Sequence, residues 1–238
     1  MIIGFAGPKG CGKGFVSGAL LSSVKKEEYT RLTRSNSADL SVITGSNWKV
    51  DSFAEPLRAF ILDLFNLDER HSNGYLKEVP INMISPNWHH IKAACQHHFN
   101  TDDNTELVAG VASIIDNKSG IFDDLVVSYR ELMQQIGTEL IRDQISENYW
   151  VDLMSAKRGN IIIDDVRMEN EAEFVRNNGI LIHIENPLAG FLKNHSTEVG
   201  VDRMPQDLVF LNNPSDVDTP FYQRIQKLKL EILEKMNG

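Results

Sequence analysis

Residues 1–20 read MIIGFAGPKGCGKGFVSGAL: a short apolar run, a glycine-rich turn closing on Gly12-Lys13, then apolar residues at helical spacing. The run Ile2 to Ala6 reads as a buried strand that delivers the backbone into a turn. There Gly7, Gly10 and Gly12 would let successive N–H groups, with those of Cys11 and Gly14, point inward as an anion cradle. Lys13 would reach the β- and γ-phosphates of a triphosphate such as ATP, while Phe15, Val16, Ala19, Leu20 and Val24 would fix the following helix against a sheet. A turn of this form also arises in an ordinary tight strand-to-helix connection. The standard loop places Ser or Thr after the lysine because that hydroxyl ligates Mg²⁺; here the residue is Gly14, and the metal loses a direct ligand. Glycine at a helix start costs about 1 kcal/mol relative to alanine, which suggests that a close approach is being accommodated.

Outward from this loop, short apolar runs at Lys49 to Phe53, Asn160 to Asp165, Ile180 to Glu185 and Leu208 to Leu211 read as further buried strands. Helical periodicity fills residues 13–25, 55–65, 129–142, 146–157, 168–178 and 220–236. Strands alternating with helices predict a parallel sheet covered on both faces, with ligands beyond the carboxyl ends of the strands. The stretch 67–127 is polar, rich in Asn, His and Asp and without a clear strand, and reads as an inserted helical segment on the acceptor side. Residues 30–47, rich in Ser, Thr and Asn, read as a surface segment. Neither repeats nor low-complexity tracts interrupt the 238 residues, which suit a single α/β domain with an elaborated insertion.

The bulk numbers exclude several classes. A net charge of −9, from 24 basic and 33 acidic residues, argues against a nucleic-acid-coating surface, so any phosphate must be held by a few local cations. No apolar run approaches the roughly 20 residues of a membrane helix, and the N-terminus lacks the basic region of a secretory leader, so a cytoplasmic protein is expected. Cys11 and Cys95 are the two cysteines and offer no disulfide framework. Within the cradle Cys11 is either a reactive thiol or, as favoured here, a small residue tolerated in a tight turn.

Two more constellations carry chemistry. Asn160-Ile-Ile-Ile-Asp164-Asp165-Val-Arg167 is a strand emptying into carboxylates and an arginine, where phosphoryl-transfer proteins hold Mg²⁺ or its water. Neighbours in a strand point to opposite faces, so one of the two aspartates is expected to face the metal. Arg167 and Glu171 are four apart and could pair on one helix face, or form a solvated surface pair. Further back, Arg130 and Gln134 fall on one face of a helix, with Tyr149-Trp150 following. A forked arginine, an amide and an aromatic plate suit a nucleoside monophosphate, and equally suit an amphipathic helix whose Trp packs a core. His89, His90, Cys95, His97 and His98 offer a transition-metal reading, against that of a polar helix. His183, on an apolar strand, reads as a core or strand-end histidine.

Taken together, Arg130-Glu-Leu-Met-Gln134-Gln-Ile-Gly137-Thr138-Glu139, the following Tyr149-Trp150-Val151, Asp165-Val-Arg167-Met-Glu-Asn-Glu171, His195-Ser-Thr-Glu198 and Phe53-Ala-Glu-Pro-Leu-Arg58 resemble the bacteriophage deoxynucleoside monophosphate kinases. These are relatives of the P-loop nucleoside monophosphate kinases, and the likeness runs through most of the chain. That family often carries Asp after the loop lysine; Gly14 departs from both versions, which bears on metal coordination and turnover. The resemblance implies a P-loop α/β fold of the nucleoside monophosphate kinase type: a five-stranded parallel sheet with helices on both faces, an insertion, and a lid over about 186–203. Lys193 and His195 would be the lid's phosphate contacts.

It further implies transfer of the ATP γ-phosphoryl group to a dNMP for nucleotide supply to DNA synthesis, in the host cytoplasm if the chain is phage-encoded. Lys13 and the loop would hold ATP, and Asp165 would position Mg²⁺ through water. Arg58, Arg130 and Arg167 would grip phosphates, Gln134 and Trp150 the acceptor base, with Glu171 beside Arg167. Nucleic acid and membrane are not expected partners, and a homodimer is compatible with the resemblance. The alternative is a nucleotide-binding protein whose kinase activity is weak or lost at Gly14.

Overall fold

The computed structural model describes residues 1–21, 47–72, 74–99, 105–119, 124–189, 201–213, 215 and 219–237. The chain divides into two compact units, residues 1–53 with 155–238, and residues 54–154. The second unit is wider than the insertion expected over 67–127.

In the first unit β1 (Ile2–Ala6), β2 (Trp48–Asp51), β5 (Asn160–Val166), β6 (Gly179–Glu185) and β7 (Leu208–Leu211) form a five-stranded sheet in the order β2-β5-β1-β6-β7. Every pairing in it is parallel. All five residues of β1 are buried, as a central strand covered on both faces requires. Helices α1 (Lys13–Leu21), α7 (Glu169–Asn178) and α8 (Phe221–Asn237) belong to this unit. Ile3, Phe5, Val16, Leu20, Ile162, Ile182, Phe210 and Leu228 share one apolar core, each burial contributing about 1.5–3 kcal/mol.

The sheet has one irregularity, at the carboxyl end of β5. Along β1 the pairing advances from Gly4 to Ala6, while along β5 it advances from Ile163 to Val166. The extra residue is a bulge in β5 at Asp164-Asp165. A bulge breaks the two-residue alternation of a strand and re-aims its side chains.

The second unit holds α2 (Glu55–Leu64), α3 (Trp88–Phe99), α4 (Thr105–Asp116), α5 (Tyr129–Gln134, continuing as a π-helical run Gln135–Ile145) and α6 (Tyr149–Ser155). The segment expected to be strandless contains β3 (Pro80–Ile84), paired antiparallel with β4 (Asp124–Ser128). The ribbon is hidden in the sequence because β3 opens on proline and ends on Ile84, an apolar residue at an exposed position, leaving no clean apolar alternation. Leu57, Phe60, Ile61, Phe99, Leu107, Leu132 and Ile136 are buried here.

The strands expected at 49–53, 160–165 and 180–185 are present with ends shifted by one or two residues. Most of the proposed lid, including Lys193, His195 and Glu198, lies outside the described residues, as do Val24 and nearly all of the segment 30–47. Among the described residues no helix is long and apolar enough to cross a membrane.

Candidate functional site

The turn between β1 and α1 has the geometry the sequence requires. Gly7, Gly10 and Gly12 have φ of 144°, 79° and 97°, in the region that disfavours side chains. At Gly12 an added Cβ would also lie 2.3 Å from Asn212 Nδ2. That amide donates to the Cys11 carbonyl at 2.8 Å, so the end of β7 braces the loop. The Cys11 N–H donates to the Pro8 carbonyl at 3.2 Å, and the Val16 N–H to the Gly12 carbonyl at 3.0 Å, starting α1.

Lys13 folds back over this turn, its Nζ donating to the carbonyls of Gly7 at 2.6 Å and Pro8 at 3.2 Å. Burial lowers the ammonium below the ordinary lysine value; the Cys11 thiol opposes this, Arg167 adds to it, and Asp165 and Asp164 oppose it. Lys13 is thus within electrostatic reach of Arg167 and both aspartates. Cys11 is fully buried, and burial pushes its thiol up against the opposing pull of Lys13. It fits the role of a small residue in a tight turn, not that of a reactive thiolate.

The two aspartates have different neighbours. Asp165 Oδ1 accepts the Phe53 N–H at 2.8 Å, and Asp164 Oδ2 lies 3.3 Å from where a Cβ on Gly14 would stand. Both influence Lys13. The bulge falls at these two residues, so simple two-residue alternation does not by itself place their side chains.

Arg167 is exposed at the end of β5, and the expected Arg167–Glu171 side-chain pair is replaced by a cap. Glu171 is 3% exposed. Its Oε2 accepts the backbone N–H of Arg167 at 2.8 Å and of Met168 at 3.1 Å, satisfying donors ahead of α7. Glu171 is thus a support that fixes the backbone carrying Arg167, and is too buried to serve as a substrate contact.

The acceptor-side candidates belong to the second unit. Arg58 pairs with Glu55 at 3.0 Å on the first turn of α2. Burial pushes the Tyr129 phenol up to about 12, with Arg58 lowering it in part. The Arg130 guanidinium pairs with Glu78. Its helix starts on a capping box in which Ser128 Oγ accepts the Glu131 N–H at 3.2 Å and Glu131 Oε2 accepts the Ser128 N–H at 2.9 Å. The Ser-x-x-Glu spacing in the sequence carries that signal. Gln134 is half-buried at the point where the helix changes to π-type bonding.

Trp150 is not an available plate. It is 5% exposed, its indole N–H donates to the Gly137 carbonyl at 3.2 Å, and its ring packs edge-on against Tyr149 and Phe99. The side chain belongs to the core of the second unit. Trp150→Phe is expected to reduce stability by about 1 kcal/mol through the lost hydrogen bond, read by urea denaturation. The acceptor KM should stay within about twofold, as for a change away from the ligand; a large rise in KM would restore Trp150 to the site.

On the histidine-rich helix α3, His89, His90 and His97 are exposed. Cys95 is buried, and burial pushes its thiol up to about 12. His98 Nε2 lies 2.9 Å from Asp63 Oδ2. Among the described residues no three His, Cys, Asp or Glu side chains are placed to hold a metal ion together.

A five-stranded parallel sheet of this order, with a glycine-rich turn leaving its central strand for a helix, is that of a P-loop kinase-like α/β protein. The family model described as deoxynucleotide monophosphate kinase matches residues 1–223, and the chain belongs to that family. The family name implies a phosphotransferase. The deoxynucleotide monophosphate kinase of Enterobacteria phage T4 is 32% identical over 97 residues, covering 37% of this chain and 40% of the phage protein. A protein of Acanthamoeba polyphaga mimivirus, provisionally given the same name, is 30% identical over 114 residues, covering 40% of this chain and 58% of its own length. The matched stretch thus spans less than two thirds of either relative.

Proposed function

We propose that this chain transfers the γ-phosphoryl group of ATP to a deoxynucleoside 5′-monophosphate, giving the diphosphate and ADP for DNA synthesis. The observation that supports this most directly is Lys13, seated in a turn of positive-φ glycines and within the field of Arg167, Asp165 and Asp164.

The acceptor phosphate is already a nucleophile, so no covalent enzyme intermediate is needed. The protein must align two polyanions and offset their repulsion. Lys13 and the uncommitted N–H groups of the loop between Gly7 and Gly14 would hold the donor. To do so Lys13 would exchange the carbonyls of Gly7 and Pro8 for phosphate oxygens. Arg167 would meet the transferring group, while Arg58 and Arg130 would leave Glu55 and Glu78 for the acceptor phosphate. Gln134 would contribute an amide to the base edge.

Oxygen donors at the carboxyl end of β5 suit Mg²⁺, and the carboxylate beside the bare Cα of Gly14 stands close to where a loop hydroxyl ordinarily begins. Bound with the nucleotide, Mg²⁺ supplies neutralisation of phosphate charge. Asp165, the residue singled out by the family segment, and Asp164 are the residues that would hold it.

The test is a panel of deoxy- and ribonucleoside monophosphates incubated with ATP and Mg²⁺, with diphosphate products separated by chromatography. Magnesium-dependent dNDP formation is the expected result. ATP binding without any diphosphate product would support the non-catalytic alternative.

A further inference from the structure

Position 14 bears no side chain, yet the space above it is not open. A Cβ there would meet Asp164 Oδ2 at 3.3 Å, tighter than an ordinary van der Waals contact. Position 14 is also where the standard loop carries its metal-binding hydroxyl. The strand end has therefore brought a carboxylate oxygen over the loop position that lacks its own.

Asp165 has a different commitment. Its Oδ1 is bonded to the Phe53 N–H just beyond β2, joining the ends of two adjacent strands. The bulge in β5 lets the two neighbouring carboxylates take these separate tasks while both remain in the field of Lys13.

We propose that Asp164 is the metal-positioning residue of the donor site, its carboxylate standing in for the missing side chain of position 14, and that position 14 is glycine because Asp164 occupies the space above it. This assignment rests on the reading of the loop as the ATP donor site. It makes the loop and the strand end a matched pair: a side chain at one position competes for room with the side chain at the other.

Replacing a neutral hydroxyl by a carboxylate has an electrostatic consequence. Without a divalent cation, Asp164 repels the nucleotide's phosphates; with one, it attracts the cation that those phosphates carry. Its removal should therefore act in opposite directions under the two conditions. A residue that only supports the fold would weaken binding in both.

The experiment is calorimetric titration of the full chain with a non-hydrolysable ATP analogue, in Mg²⁺ and in EDTA. Asp164→Asn, which preserves shape, is expected to weaken binding in Mg²⁺ and strengthen it in EDTA, reducing the ratio of the two affinities at least about tenfold. Asp165→Asn, whose carboxylate also braces the Phe53 N–H, should reduce that ratio less than Asp164→Asn does. The double variant Gly14→Ser with Asp164→Ala, which places a hydroxyl in the space vacated, should recover part of the ratio relative to Asp164→Ala alone. An unchanged ratio in Asp164→Asn, or a larger loss in Asp165→Asn, would overturn the assignment and leave the donor site standing. If the unsubstituted chain bound no analogue in either condition, the donor-site reading itself would fall.

Discussion

Lys13→Ala and Arg167→Ala should each slow diphosphate formation at least about 100-fold, the scale for losing one positioned electrostatic group in a water-poor site. A steady-state assay with ATP, Mg²⁺ and the preferred dNMP reads this directly. The two losses have different origins. Lys13 is already held over the loop by the carbonyls of Gly7 and Pro8, so its truncation removes a prepared donor from the nucleotide cradle. The Arg167 backbone is fixed by Glu171 while its guanidinium is exposed, an arrangement suited to meeting charge that arrives with the substrate. Lys13→Ala should therefore weaken ATP binding as well as turnover, whereas Arg167→Ala should act mainly on turnover. Retention of most activity in either variant would remove that residue from the mechanism.

The largest stability effect is expected at Asp207, away from the loop. Its side chain is 1% exposed and receives Arg176 Nε at 3.1 Å and Nη2 at 2.9 Å, the Met204 N–H at 2.9 Å, and a contact with His183 Nε2 at 3.0 Å. Arg176 also binds Glu169 and donates to the Asp202 carbonyl at 2.6 Å. Asp207→Ala would leave a largely buried guanidinium without its main counter-charge, a loss of about 3 kcal/mol. Urea denaturation would show it; a change below about 1 kcal/mol would reduce the cluster to a surface pair.

The same group gives a pH dependence of definite sign. Burial pushes the Asp207 carboxyl upward, but the bonds from Arg176, Met204 and His183 outweigh it and hold the group below the ordinary carboxylate value. Its contribution is complete above the unfolded carboxylate range and is lost as pH falls through the lowered folded value. Asp207→Ala should therefore flatten the acid limb of a stability profile and leave its neutral region displaced but parallel.

Much of the first unit is legible from its chain. Strands buried on both faces read as continuous apolar runs, so Ile2–Ala6 and Gly179–Glu185 are visible almost to the residue. The glycines of the loop are legible because only that residue type tolerates the required φ. The β3–β4 ribbon is not, because an opening proline and the exposed apolar residues Ile84 and Val126 blur the alternation over five residues. The π-helical run from Gln135 reads as ordinary helix, since changing the bonding from i+4 to i+5 leaves little trace in composition.

At the site, residue types are legible and their partners are not. Trp150 offers the same letter whether it stacks on a base or fills a core, and only its N–H to Gly137 decides. Spacing describes side chains and so points Glu171 at a guanidinium, whereas its partners are backbone N–H groups. Alternation alone does not place Asp164 and Asp165, because a register shift depends on the neighbouring strand, which no local reading contains.

That register shift also limits how this chain can change. Deleting either aspartate would return β5 to even step with β1 and leave one carboxylate where two are now employed. The survivor could brace the backbone at Phe53 or attend the loop, but its short stem could not reach both. Chain length at this one place is thus as much a determinant of the donor site as the identity of any residue in it.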